Sequence, residues 1–158
     1  MIRPLNQNDV CQLARVHQCC FADAWSSAVF LDYFVRPEWD GVFGYGYFST
    51  LGSPYPDSFS INGEQLIGFI MGRTVFESND LFTFAVLPDC QQKGVGRALL
   101  DHYLKGLEVD CLLEVSIHNE KAIHLYSSVR FNVITLKKGY YSTANLLQSD
   151  AYVMKRSV

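Results

Sequence analysis

The segment Leu81-Phe-Thr-Phe-Ala-Val-Leu-Pro-Asp-Cys-Gln-Gln-Lys-Gly-Val-Gly-Arg-Ala-Leu-Leu100 limits what this chain can fold into more than any other stretch. Its first part has the aromatic and branched residues of a buried strand, closed by Pro88, which cannot continue a ladder. Beyond it Val95, Leu99, Leu100, Tyr103, Leu104 and Leu107 recur at helical spacing along one face. The two are joined by a polar loop in which Gly94 and Gly96 lack the Cβ atoms that would block a ligand. Backbone N–H groups at the start of the helix can then point at an anion, with Lys93 and Arg97 adding positive charge. No Gly-Lys-Ser/Thr follows, so this is not the nucleoside-triphosphate loop. An isolated pair of glycines would be no more than a softened turn, and the rest of the chain has to decide.

Ile2 to Leu5 reads as a short first strand, with Pro4 tolerable only at an edge. Asn6 can cap a helix that carries Asp9 in its first turn and Val10, Leu13, Val16, Cys20 and Phe21 on one face. Trp25-Ser26-Ser27 is a second start signal, for a helix to about Val35 with Phe30, Leu31 and Phe34 inward. Residues 36 to 57 break the pattern with prolines, glycines and aromatics. They hold either a strand at Val42 to Thr50 or an ordered loop whose rings line a groove, packing being the commoner use of such rings. Asn62-Gly63 is a hairpin signal that joins Ser58–Ile61 to Gln65–Val75, and Leu81–Val86 continues the meander. After the cradle helix come a strand at Cys111–Ile117, a helix capped by Asn119, and strands near Val133–Lys137 and Asp150–Lys155. The order β, α, α, three antiparallel strands, α, β, α, β, β makes an α+β fold.

At 158 residues the chain has room for one domain, 1–158, and 49% hydrophobic with 18% charged residues describes a globular protein. Thirteen basic against sixteen acidic side chains offer nucleic acid no general attraction. The five cysteines follow no disulfide or metal spacing, and the four histidines are scattered, so no metal is expected. The thiols are expected to be reduced in a cytoplasmic protein, with Cys20 and Cys111 as core residues and Cys90 exposed. The histidines are expected at the surface or in caps. No signal peptide or membrane span is expected.

Taken together, these features resemble the GCN-related N-acetyltransferase (GNAT) family, which moves the acetyl group of acetyl-coenzyme A to an amine. The family's Gln/Arg-x-x-Gly-x-Gly/Ala motif matches Gln91-Gln92-Lys93-Gly94-Val95-Gly96. The resemblance implies a mixed, mostly antiparallel central sheet with helices on both faces. It implies that Gln91, Gln92, Lys93, Gly94, Val95, Gly96 and Arg97 hold the coenzyme's pyrophosphate, that Phe84 and Val86 pair with its pantetheine arm, and that the Val86 N–H stabilises the thioester oxygen. Within the family Leu113-Glu-Val-Ser-Ile-His-Asn-Glu-Lys-Ala-Ile-His-Leu-Tyr126 is similar to the RimI type, which acetylates the N-terminal alanine of a ribosomal protein. Ala24-Trp25-Ser26 and Lys138-Gly139-Tyr140-Tyr141 resemble RimI stretches too, and Trp25, Tyr140 and Tyr141 are the expected walls of an acceptor groove.

Glu114 is the expected base for the attacking amine, against the alternative of a strand carboxylate facing solvent or pairing with a lysine. Tyr126 is the expected acid for the departing thiolate, against a core tyrosine. Asn119 can both cap its helix and contact the coenzyme. The chain departs from the RimI pattern at Arg130, where a helix-ending glycine is usual, so either Arg130 takes a left-handed conformation or the helix ends differently. It departs again in the long aromatic stretch Trp39 to Asp57. The acceptor is a protein or peptide N-terminus, possibly ribosomal; a lysine, polyamine or aminoglycoside is the enzymatic alternative, and an acetyl-coenzyme A sensor without turnover is the non-enzymatic one. No nucleic acid or membrane partner is expected.

Overall fold

The computed structural model describes residues 1–36, 40–50, 63–142 and 148–158, and for 140–142, 148 and 149 the backbone alone. In chain order the elements are β1 (Ile2–Pro4), α1 (Val10–Cys20), α2 (Ser27–Val35), β2 (Val42–Thr50), β3 (Glu64–Val75), β4 (Ser78–Val86), α3 (Val95–Lys105), β5 (Asp110–Ser116), α4 (Glu120–Ser127), β6 (Asn132–Ser142) and β7 (Gln148–Arg156). The strands form one mixed sheet in the order β1-β2-β3-β4-β5-β7-β6. This is the expected α+β, mostly antiparallel architecture, with β4 and β5 parallel. Pro4 sits on the edge strand, where its missing N–H costs nothing.

The described residues gather into two compact units, Met1–Arg73 with Thr83–Gly106, and Thr74–Phe82 with Leu107–Val158. In the first, Phe69 of β3 meets His17 of α1 and Phe30 of α2. A Cβ on its neighbour Gly68 would point at Leu99 of α3, 3.3 Å away. Successive residues of a strand face opposite ways, so the helices cover both faces of β3. The aromatic run of β2 packs rather than lining a groove: Phe43 stacks on Tyr103 at 5.0 Å, and Tyr45 meets His102 edge-on. Gly44 lets β2 approach so closely that a Cβ there would fall 2.6 Å from the Ile70 carbonyl.

β3 pairs with β2, Val42–Thr50, from Val42↔Arg73 to Thr50↔Glu64; the expected strand Ser58–Ile61 lies outside the described residues, as do Trp39 and residues 51–57 of the aromatic stretch. The β2–β3 register jumps from Tyr47↔Gly68 to Phe48↔Leu66, a bulge that takes Leu66 N–H out of the ladder. The buried Gln12 of α1 accepts it at 2.7 Å, a role no helical periodicity reveals. β3 turns into β4 through Phe76-Glu77, with Phe76 at φ 53° and 95% exposed, a tight turn without the usual glycine or asparagine signal. Phe30 is buried as expected, whereas Leu31 is exposed on the outer side of α2. His17 is buried, against the expectation of a surface or cap residue.

In the second unit α4 ends as a Schellman motif without its glycine. Arg130 takes φ 72° and donates to Ser127 O, Phe131 N–H reaches back to Tyr126 O, and the Phe131 ring closes on Tyr126 at 5.8 Å. Arg130 therefore carries the left-handed strain itself. Arg130→Gly is expected to raise stability by about 1 kcal/mol in urea unfolding, with no change in slope.

Candidate active site

The cradle is built from the end of β4 forward. Pro88-Asp89-Cys90 makes one 3-10 turn, closed by Cys90 N–H to Leu87 O and Gln91 N–H to Pro88 O. The Gln91 side chain then folds back and donates from Nε2 to Val86 O at 3.0 Å, and Cys20 Sγ of α1 donates to the same carbonyl at 3.3 Å. The loop is thus tied to the strand it leaves.

Gln92 and Gly94 both have positive φ, 57° and 83°, which turns the chain into α3 with its N-terminus open. Around the position a Gly94 Cβ would take, no atom of the described residues comes within 4 Å. Gln91, Gln92, Lys93, Gly94 and Arg97 are exposed, Gly96 is half-buried, and Val95 is buried and anchors the first turn. The first intrahelical bond runs from Ala98 N–H to Gly94 O, and a helix leaves the N–H groups ahead of that point without helical acceptors. Open space, a helix N-terminus and two nearby cations fit a diphosphate, although Arg97 also pairs with Asp101 at 2.8 Å.

Cys90 is fully buried, which corrects the expectation of exposure: the 3-10 turn swings it under the loop, and burial raises its thiol's pKa. Cys111 is buried as expected and its pKa is pushed up to about 12, chiefly by burial; that of Cys20, half-buried, is raised to about 11 for the same first reason. Among the described residues no group of three or more His, Cys, Asp and Glu could hold a metal, and no helix is long and apolar enough to cross a membrane.

In the second unit the parallel ladder runs from Ser78↔Asp110 to Leu81↔Leu113. The next residues on each strand, Phe82 and Glu114, line a cavity of about 300 Å3 together with Asp80, Leu81, Leu112, Leu113 and Val153. Glu114 shares the half-buried face of β5 with Leu112 and Ser116 and lies opposite Val153 of β7. From β6, one strand further on, Lys137 reaches across and pairs with Glu114 Oε1. The lysine reading of Glu114 is therefore realised. Lys137 was not legible beforehand, because only the β5-β7-β6 order brings it within reach.

Tyr126 is 7% exposed, packs on Phe131 and lends its carbonyl to the end of α4, so it has a core role whatever else its hydroxyl does. Asn119 caps α4 by accepting from Ala122 N–H at 3.2 Å. Trp25 is half-buried in the first unit against His17, Phe30 and Tyr33, next to Ser26, which caps α2. Phe84 and Val86 follow Leu81 on β4, past its last pair with β5. Tyr140 and Tyr141 lie on β6, with Tyr141 opposite Ser149; their side chains are outside the described residues.

Comparison with known proteins places these features in context. The model of the acetyltransferase (GNAT) family matches residues 12–131. The [ribosomal protein bS18]-alanine N-acetyltransferase of Salmonella typhimurium is 36% identical over 112 residues, 68% of this chain and 75% of that protein. Its Escherichia coli counterpart is 39% identical over 97 residues, 59% of this chain and 64% of that protein, so this match spans just under two thirds of the relative. The crystal structure of the ribosomal-protein-S18-alanine N-acetyltransferase from Escherichia coli superimposes with a TM-score of 0.80 at 28% identity, covering 100% of this chain and 93% of that one.

The burial pattern gives a direct check on the cradle. Thiol titration of the native protein is expected to modify Cys11 and Cys19 quickly and to leave Cys90 and Cys111 unreacted until denaturant is added. Rapid labelling of Cys90 would mean that the loop does not fold over it.

Proposed function

The chain belongs to the acetyltransferase (GNAT) family, and from that membership we infer that it transfers the acetyl group of acetyl-coenzyme A to the α-amino group of a protein or peptide N-terminus. A ribosomal protein is the acceptor suggested by the names of the bacterial relatives. The observation that carries the reading is Glu114, set at the cavity where the β4–β5 ladder ends.

In this reading the backbone from Gln92 to Arg97, with Lys93, holds the pyrophosphate, and Gln91 keeps the loop in place through Val86 O. Phe84 and Val86 offer main-chain groups to the pantetheine arm, and the Val86 N–H supports the thioester oxygen as it gains charge. Asn119 adds a coenzyme contact from the start of α4. Trp25 is read as a wall of the acceptor groove.

An amine attacks only as its free base. At pH 7.5 roughly a quarter of an α-amine with a pKa of about 8 is unprotonated, against about one part in a thousand of a lysine. Lys137 neutralises Glu114 and engages Oε1, so the carboxylate has little net charge with which to recruit an ammonium. Oε2 is then the oxygen that takes the proton, directly or through a water, as the amine adds to the thioester carbon. Tyr126 gives a proton to the departing coenzyme thiolate.

Glu114→Gln and Tyr126→Phe are each expected to lower turnover by about 100-fold with acetyl-coenzyme A binding unchanged by calorimetry. Phenylalanine keeps the packing on Phe131, so Tyr126→Phe isolates the hydroxyl. Full turnover in both variants would remove these roles. Labelled acetyl-coenzyme A offered with N-terminal peptides, internal-lysine peptides and polyamines is expected to label the terminal peptides. Transfer to polyamines alone would replace the acceptor, and no transfer to any amine would favour a sensor.

A further inference from the structure

One imidazole ties the α1–α2 connection back to α1. His17 is 4% exposed on α1, and its Nδ1 accepts the backbone N–H of Trp25 at 3.1 Å. Its ring lies 4.2 Å from Phe21, stacks on Trp25 at 5.0 Å and 16°, meets Phe30 edge-on at 5.6 Å and sits 6.4 Å from Phe69. Because Nδ1 accepts, the ring is neutral with its proton on Nε2. A protonated ring would place a second N–H against that of Trp25 and a charge among four apolar rings.

We propose that His17 is a positioning residue for the acceptor: its neutral imidazole holds Trp25 in place as a wall of the acceptor groove, and protonation releases that wall, so acceptor affinity falls on acidification while acetyl-coenzyme A affinity does not. The inference rests on the N-acetyltransferase reading and on Trp25 as a groove wall.

Among the described residues, burial alone accounts for the lowered pKa of His17, and no charged group is a cause of it. Cys20 of α1 and Tyr33 of α2, which packs on Trp25, have their pKa values raised, chiefly by burial, so neither changes charge near neutrality. Asp32 of α2 and Glu64 of β3 are paired with Arg36 and Arg3, and Asp23 of the connection is exposed. Burial lowers the imidazole's pKa below its ordinary value of 6.5. The stability His17 contributes is therefore complete above that value and is lost as pH falls through the lower folded one. Below the folded midpoint each pH unit leaves about a tenth as many molecules with a neutral ring, so the acceptor KM climbs about tenfold per unit.

Two measurements test this. In a Trp39→Phe background, which leaves Trp25 as the sole tryptophan, emission is expected to titrate with one midpoint below 6.5 as the stacked ring takes its charge. Adding His17→Asn, which keeps an oxygen acceptor without a titration, is expected to abolish the change. A flat emission, or the same titration without His17, overturns the proposal. The second is the ratio of acceptor KM in wild type to that in His17→Asn from pH 7.5 to pH 5, in which the peptide's own ionisation cancels. It is expected to rise while the acetyl-coenzyme A KM ratio stays flat. A flat acceptor ratio, or equal rises for both substrates, overturns it. Should no N-terminal peptide be acetylated at any pH, the functional reading fails instead, and the emission titration still decides whether His17 holds Trp25.

Discussion

Because β4 and β5 run parallel, no tight turn can join them, and residues 87–109 must cross over, carrying α3 as they do. The crossover begins at the carboxyl end of β4, which is why a helix N-terminus, and with it an anion site, follows that strand. The same parallel ladder stops at Leu81↔Leu113, and the next residues on the two strands line a cavity instead of bonding to each other. Cradle and cavity both follow from one topological choice. The glycines tune the first and Glu114 furnishes the second.

The order of elements was legible because each carries its own signal: periodicity in α1, α3 and α4, caps at Asn6, Ser26 and Asn119, apolar runs in β3 to β5. Pairing between elements was not. Val42 to Thr50 could be read as a strand or as a groove-lining loop, and the strand is what forms; its glycines answer to backbone approach from β3, which depends on the partner strand rather than on the local sequence. Lys137 reads as an ordinary strand lysine until β7 is placed between β5 and β6. Cys90 looked exposed because a polar loop surrounds it in sequence, while a 3-10 turn buries it in space. Of the site, the motif residues could be read; the ties that hold them, Gln91 and Cys20 to Val86 O, could not.

Arg130 shows how far a motif can lose its key residue and keep its geometry. Both hydrogen bonds of the helix end and the Tyr126–Phe131 contact are made, so packing from two aromatic rings outweighs the strain of one left-handed arginine. The contact also couples the helix end to Tyr126. Its position is set by what the helix needs as much as by any chemistry of its hydroxyl.

Several buried polar side chains of this chain stand where the backbone leaves a regular ladder. Gln12 takes the Leu66 N–H set loose by the bulge in β3, Asp9 takes the Asn6 N–H ahead of α1 while Arg3 grips its carboxylate, and His17 takes the Trp25 N–H between α1 and α2. Each buried donor needs an acceptor, and a side chain furnishes one where no strand or helix can. These joints differ in one respect. An amide oxygen keeps its lone pairs at any pH. Imidazole alone exchanges its acceptor for a donor near physiological pH, so the α1–α2 connection is the joint whose hold depends on the proton.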